Sequence, residues 1–146
     1  VEARIKIMER CCEGENGYLL EHGGDIFPDT VPVFKELSKY CRLFIVSNCQ
    51  AGYIEAFLDY YGLWEYITDR LCWGDNELPK SENIRLIMKR NGMESAVYVG
   101  DTQTDCDSAY AAGAKFAFAA YGFGSADRYD IKLNGLSDLP EMLKKV

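Results

Sequence analysis

The sequence predicts an α/β fold, a parallel sheet with helices on both faces, and three observations carry that expectation. Short apolar runs rich in strand formers alternate with segments whose apolar residues recur at helical spacing. Alternation on this scale requires crossover connections, and crossovers make strands parallel. The polar residues of chemical interest, Ser47-Asn48, Lys80 and Gly100-Asp101 with Asp105, fall at the end of a predicted strand or in the loop after one. That edge is where open sheets of this kind bind ligands.

The elements follow in order. A helix runs from Glu2 to about Cys12. A second starts at Asp29 or Thr30 and reaches about Tyr40, with a polar cap ahead of Val31, Phe34 and Leu37 at helical spacing. Arg42 to Val46 is an apolar run that ends at Ser47-Asn48 and reads as a buried strand. Ala51 to about Tyr61 presents Ile54, Phe57, Leu58 and Tyr61 on one helix face and stops at Gly62, the usual residue past a helix end. Arg70 to Trp73 is a weaker strand signal before a polar turn from Gly74 to Glu77. Ser81 is placed to cap a helix over Ile84, Leu86, Ile87 and Met88 that ends near Asn91-Gly92. Ala96 to Val99 is the next strand, Thr104 to Ala112 the next helix with Gly113 as its stop, and Lys115 to Ala119 the strand after that. A short helix from Asp138 to Lys145, capped by Ser137, closes the domain.

Composition narrows the function classes. A chain of 146 residues fits one domain and can bury roughly 68–70% of the surface its unfolded form exposes. A net charge of -7 and a pI near 4.7 argue against nucleic acid or an anionic membrane as partner, because both need a basic footprint. No apolar run approaches the roughly 18 residues of a membrane span, and the N-terminus lacks the charged-then-apolar order of a secretory signal. A cytoplasmic location is expected. Cys11, Cys12, Cys41, Cys49, Cys72 and Cys106 form no C-x-x-C pair, so buried free thiols in a reducing compartment explain them best. The single histidine, His22, sits in a Gly-rich loop away from any Cys pair. It reads as a surface or turn residue, and zinc is not expected.

The most informative stretch runs from Ala96 to Asp105: an apolar run breaks at Gly100-Asp101, and a second carboxylate follows four residues on as a helix begins. Two closely spaced carboxylates at a strand's carboxyl end suit a hard cation such as Mg²⁺, which is usually held by one or two carboxylates plus phosphate and water. Asp101 and Asp105 are the metal candidates. Ser47 and Asn48 offer a hydroxyl and an amide, and Lys80 a cation. Together these are what a phosphoryl group asks for, since its transfer depends mostly on positioning and charge stabilisation.

In this order the motifs resemble those of the haloacid dehalogenase-like (HAD) hydrolase superfamily, most closely its phosphoglycolate-phosphatase-like branch, from about Phe27 to the C-terminus. Phe44-Ile45-Val46-Ser47-Asn48 is similar to the motif whose Ser or Thr binds the substrate phosphate. Leu78-Pro79-Lys80-Ser81 is similar to the lysine motif, with Ser81 where Pro commonly follows the Lys. Val99-Gly100-Asp101 with Asp105 is similar to the acidic motif that holds Mg²⁺, and Tyr121-Gly122-Phe123-Gly124 to the loop after the last core strand. The resemblance implies a Rossmann-like core in which Asp101 ligates Mg²⁺, Asp105 supports the metal or orients Lys80, and Ser47, Asn48 and Lys80 bind substrate. Ser47, Lys80 and Asp105 are thereby the catalytic candidates. The implied activity is a Mg²⁺-dependent phosphatase acting on a small phosphorylated metabolite.

One departure matters. The family carries an Asp-x-Asp motif at the end of a first, central strand, where the first Asp is the nucleophile, and no predicted strand of this chain ends that way. Asp25 and Asp29 are four apart and do not replace it. The resemblance therefore implies a chain lacking the first central strand and most of the helical cap, with residues 1–24 as a remnant of cap or linker helix and 25–146 as the core. Inactivity of the chain as given is expected. A non-catalytic, degenerate relative serving as a binding or scaffolding domain is the alternative. The absent strand would leave facing edges on the strands at Arg42–Val46 and Ala96–Val99, closed by a rearranged segment or a swapped second copy if the chain is stable alone.

Plainer roles exist for each residue. Asp105 and Asp107 suit the first turn of a helix, Asp101 and Ser47 can cap the helices that follow, Asn48 favours a turn, and a lysine such as Lys80 is by default solvated. Gly122 and Gly124 spell G-x-G without the third glycine or the helix of a dinucleotide fingerprint.

Overall fold

The computed structural model describes residues 2–145; Val1 and Val146 lie outside them. Helix α1 (Glu2–His22) and α2 (Thr30–Leu37) lead into strand β1 (Leu43–Ser47), helix α3 (Tyr53–Tyr61) and strand β2 (Ile67–Cys72). A one-turn helix α4 (Trp73–Asn76) precedes α5 (Lys80–Arg90), β3 (Val97–Gly100), α6 (Gln103–Ala112), β4 (Lys115–Ala119), β5 (Ile131–Leu133) and α7 (Leu139–Leu143). Every pairing is parallel, as the alternation requires. Among the described residues no helix is long and apolar enough to cross a membrane.

The strands form two sheets, β1-β2 and β3-β4-β5. Side chains alternate across β4 because a strand has a period of two. Phe116 points into a cluster with Ile84 of α5 and Cys106 and Ala109 of α6. Ala117 points the opposite way, among Val33 and Leu37 of α2, Ile131 and Leu133 of β5, and Leu139 of α7. Burying a ring the size of Phe116 contributes about 1.5–3 kcal/mol. Helices therefore cover both faces, which is the predicted fold class.

The same helices bridge the two sheets. Val46 of β1 and Tyr98 of β3 both pack against the α5–α6 cluster, while Leu43 of β1 and Val97 and Val99 of β3 pack against the α2–α7 cluster. No ladder joins β1 to β3. Neighbouring strands lie about 4.8 Å apart, so an intervening strand would need about 9.6 Å. The tyrosine of β3 spans the interval instead: Tyr98 Oη donates a hydrogen bond to the Val46 carbonyl at 2.9 Å. Among the described residues β1 pairs only with β2 and β3 only with β4, and no other strand pairs with either.

Several expectations need correction. Helix α1 continues past Gly14 and Gly17 to His22 because tertiary contacts outweigh the weak helix propensity of glycine. Asn16 donates to the Ala51 carbonyl at 2.8 Å, and Gln50 donates to Glu15 at 2.8 Å. Strand β2 begins at Ile67, earlier than the sequence signal, and its partner β1 imposes the extension. The expected turn after Trp73 is the helical turn α4. Helix α5 starts at Lys80 after Pro79 without a side-chain cap, so Ser81 lies inside the first turn. Strand β5, in a polar stretch, was not expected; Ile131 and Leu133 bury on one face while Lys132 stays exposed. The last helix is a 3-10 turn, Leu136–Asp138, followed by α7, and Asp138 rather than Ser137 receives the amides of Asn134 and Gly135. All six cysteines are free, but only Cys72 and Cys106 are fully buried, and Cys11 is exposed.

Candidate active site

Three connections bring the predicted polar residues to one edge. Strand β1 delivers Ser47 at its carboxyl end, in register with Cys72 of β2, and the Ser47 hydroxyl accepts the Cys49 amide at 3.3 Å. Exposed Asn48 follows in the same turn. Strand β3 delivers Gly100 and Asp101, and helix α5 delivers Lys80 at its first residue. The loop before Lys80 is fixed from below by Asn83, which is fully buried. Its side chain accepts from Asn76 at 2.7 Å and donates to the Leu78 carbonyl at 3.4 Å.

Lys80 and Asp105 form the centre. Lys80 Nζ lies 2.5 Å from Asp105 Oδ1, with the two side chains only 12% and 8% exposed. Asp105 Oδ2 takes the Thr102 hydroxyl at 2.7 Å, the Thr102 amide at 3.1 Å and the Asp101 amide at 3.3 Å. The Thr102 hydroxyl in turn accepts the Asp105 amide at 3.1 Å. This is a capping box closed by an aspartate, and it fixes the start of α6. A Cβ on Gly100 would come within 2.6 Å of Asp105 Cβ, so only glycine lets the strand end pass this close. Burial pushes the Asp105 carboxyl up, but hydrogen bonds from Lys80 and Thr102 outweigh it and hold the group below the usual range. Lys80 also lies 5.8 Å from the centroid of the Tyr98 ring, whose hydroxyl is pushed up by burial and then by the charges of Asp105 and Asp101.

Asp101 faces the other way. Its Oδ2 accepts the Phe123 amide at 2.8 Å. Cβ atoms on Gly122 or Gly124 would fall 2.4 Å from Asp101 Cβ and 2.5 Å from its carbonyl oxygen, respectively. The carboxylate therefore lies in a cradle that a side chain would fill. An oxygen donor held in such a cradle suits a hard cation. Asp105 is committed to Lys80 and Thr102, so its hydrogen bonding favours the orienting role over direct ligation. Among the described residues no group of three or more His, Cys, Asp or Glu converges as a complete metal cluster. No hydrogen bond or ion pair among them joins Ser47 or Asn48 to Lys80; Tyr98, bonded to Val46 beside Ser47 and lying beneath Lys80, connects the two halves.

Sequence reasoning missed Thr102, Tyr98 and Asn83. The Thr-x-x-Asp spacing from Thr102 to Asp105 is a capping-box signature and could have exposed the first. No sequence signal marks Tyr98 or Asn83, whose roles depend on elements distant in the chain. His22 is exposed at the end of α1, stacked on Tyr18 at 4.4 Å, and takes no part.

The model for the haloacid dehalogenase-like hydrolase family matches residues 6–119. The phosphoglycolate phosphatase of Cereibacter sphaeroides is 28% identical over 112 residues, covering 72% of this chain and 51% of that protein. The chain spans about half the length of the curated relatives it matches. Among solved structures, a predicted phosphoglycolate phosphatase from Haemophilus somnus superposes with a TM-score of 0.81 at 19% identity, covering 98% of this chain and 68% of that one. A HAD hydrolase from Bacillus subtilis, solved bound to magnesium, superposes with a TM-score of 0.75 at 19% identity, covering 88% and 59%. These superpositions show the shared fold, and the family match over most of the chain shows more: this chain belongs to the haloacid dehalogenase-like hydrolase family.

Proposed function

We propose that this chain carries the metal and phosphate half of a Mg²⁺-dependent phosphatase that acts on a small phosphorylated metabolite in the cytoplasm. The observation that supports the reading best is the Lys80–Asp105 pair, 2.5 Å long and largely buried, beside a carboxylate in a glycine cradle at the carboxyl edge of a parallel sheet. A buried, pre-aimed ammonium stabilises charge on a phosphoryl group without reorganising. Ser47 donates its hydroxyl to a phosphoryl oxygen, and Asn48 offers a second donor. Asp105 orients Lys80, and Asp101 holds the cation. Mg²⁺ bound there supplies positive charge to the phosphoryl oxygens. The nucleophile has no counterpart among these residues and is drawn from outside them.

Hydrolysis of p-nitrophenyl phosphate, with and without Mg²⁺, tests the reading on this chain and on the same chain extended to the start codon of its gene. Activity in the extended form alone, lost on Asp101→Asn, is the expected result. Inactivity of both forms would move the chain to the non-catalytic relatives, and activity of the short form would place the nucleophile within it.

A further inference from the structure

We infer that the Gly122-Phe123-Gly124 loop is the positioning element for Asp101, acting through the Phe123 main-chain N–H and through the space its two glycines leave. The inference rests on the reading of Asp101 as the cation ligand and adds the residues that aim it.

Three observations carry it. First, the Phe123 amide donates to Asp101 Oδ2 at 2.8 Å, which occupies one carboxylate oxygen and leaves Oδ1 for a cation. Ligating carboxylates are commonly held by such a second hydrogen bond. Second, both glycines are required by space alone. A Cβ on Gly122 would lie 2.4 Å from Asp101 Cβ and 2.6 Å from Oδ2, and one on Gly124 would lie 2.5 Å from the Asp101 carbonyl oxygen and 3.1 Å from Thr102 Cγ2. Neither glycine has a left-handed backbone, so nothing except close approach explains them. Third, the loop is anchored independently of Asp101. Gly122 N donates to the Ala119 carbonyl at 2.9 Å and Ala120 N to that of Leu133 at 2.9 Å, while the Tyr121 ring packs edge-on against Phe27 at 4.9 Å. A donor fixed to β4 and β5 can set the direction of a carboxylate on β3. The Phe123 ring itself is 98% exposed, so the position is held by its main chain and not by side-chain burial.

The test reads the hydrogen bond and the cation separately. In the unaltered chain, amide hydrogen exchange at Phe123 should be at least tenfold slower than expected for a residue with so exposed a side chain. Mn²⁺, as a paramagnetic probe, should broaden the amide signals of Asp101 and Phe123. Gly122→Ala should lower the melting temperature through the overpacking of its new methyl and, in the chain that remains folded, speed Phe123 exchange and weaken Mn²⁺ binding about 10- to 100-fold. Gly124→Ala presses on the same residue from its main-chain side and stands in if the first variant does not fold. A merely structural loop would change melting without this loss of affinity.

An unprotected Phe123 amide, a folded Gly122→Ala chain with unaltered Mn²⁺ affinity, or an unaltered chain indifferent to Mn²⁺ would each overturn the inference. Protection at Phe123 combined with equal Mn²⁺ affinity in Asp101→Asn would instead place the error in the assignment of Asp101 and sink the cation role of the loop with it.

Discussion

Replacing Asp105 with Asn strikes the centre of the site while keeping its shape. In the native chain the Lys80 and Asp105 side chains are nearly buried and 2.5 Å apart. The asparagine oxygen can still accept from Thr102, but the amide then turns an N–H donor toward the Lys80 ammonium and leaves that charge unpaired. Removing one partner of a buried pair costs about 3–5 kcal/mol. In a chain of this size each kcal/mol lowers melting by about 2–4 °C, so the loss should be roughly 6–20 °C. Lys80→Met is the informative contrast. It leaves the Asp105 carboxylate with the hydroxyl and amide of Thr102 and the amide of Asp101, so its cost should be smaller, about 1–3 kcal/mol. Urea unfolding of the two variants and the parent, with equal slopes, measures both numbers. A reversed order, or a loss below about 1 kcal/mol for Asp105→Asn, typical of a solvated surface pair, would refute the reasoning.

Three further outcomes follow from the same geometry. Because hydrogen bonds from Lys80 and Thr102 outweigh burial and depress the Asp105 carboxyl, its stabilisation is whole above about pH 4, the unfolded value. It drains away as the pH falls through the lower folded value. Urea midpoints measured from pH 6 down to 2 should therefore fall more steeply for the parent than for Asp105→Asn. Gly100→Ala would set a methyl 2.6 Å from Asp105 Cβ and 2.7 Å from its Cγ, an overpacking worth about 1–3 kcal/mol that calorimetry should register. Finally, thiol alkylation followed by peptide mass spectrometry should label exposed Cys11 first. Cys72 should resist until the chain unfolds, since burial first, and then the Asp75 hydrogen bond and neighbouring Cys49, push its thiol up to about 12. Early labelling of Cys72 in folded protein would contradict its burial.

Legibility in the sequence followed the range of the forces involved. Strands β1, β3 and β4 are largely apolar runs and are read directly, since helices packed on both faces leave that imprint, although β1 and β3 are half-buried along their whole length. Helix ends at Gly62 and Gly113 were equally legible, since both glycines take the left-handed conformation that ends a helix. Strand β5 has only three residues, and alternation over three positions is too short a signal against Lys132 and its polar neighbours. The sequence signal carries helix α1 only to about Cys12, because the contacts of Glu15 and Asn16 with Gln50 and Ala51 that extend it lie 34 and 35 residues away. The same limit applies to the site. Local motifs single out Asp101, Asp105, Lys80 and Ser47 as candidates, whereas Tyr98 and Asn83 contact partners that only the folded chain brings near.

The separation of the two sheets has a mechanical consequence. A hydrogen-bonded ladder is stiff across its strands, as in β4, which is paired on both sides. Ser47 ends one sheet and Asp101 follows the end of the other, so no ladder gauges the distance between them. That distance is set by apolar packing beneath α5 and α2 and by a single tyrosine hydroxyl. Such packing has no fixed register along the strands, unlike a hydrogen-bonded ladder. Among the described residues the Tyr98 hydroxyl bonds β3 to β1, so the spacing of Ser47 and Asp101 depends on that bond and on side-chain fit, not on strand pairing.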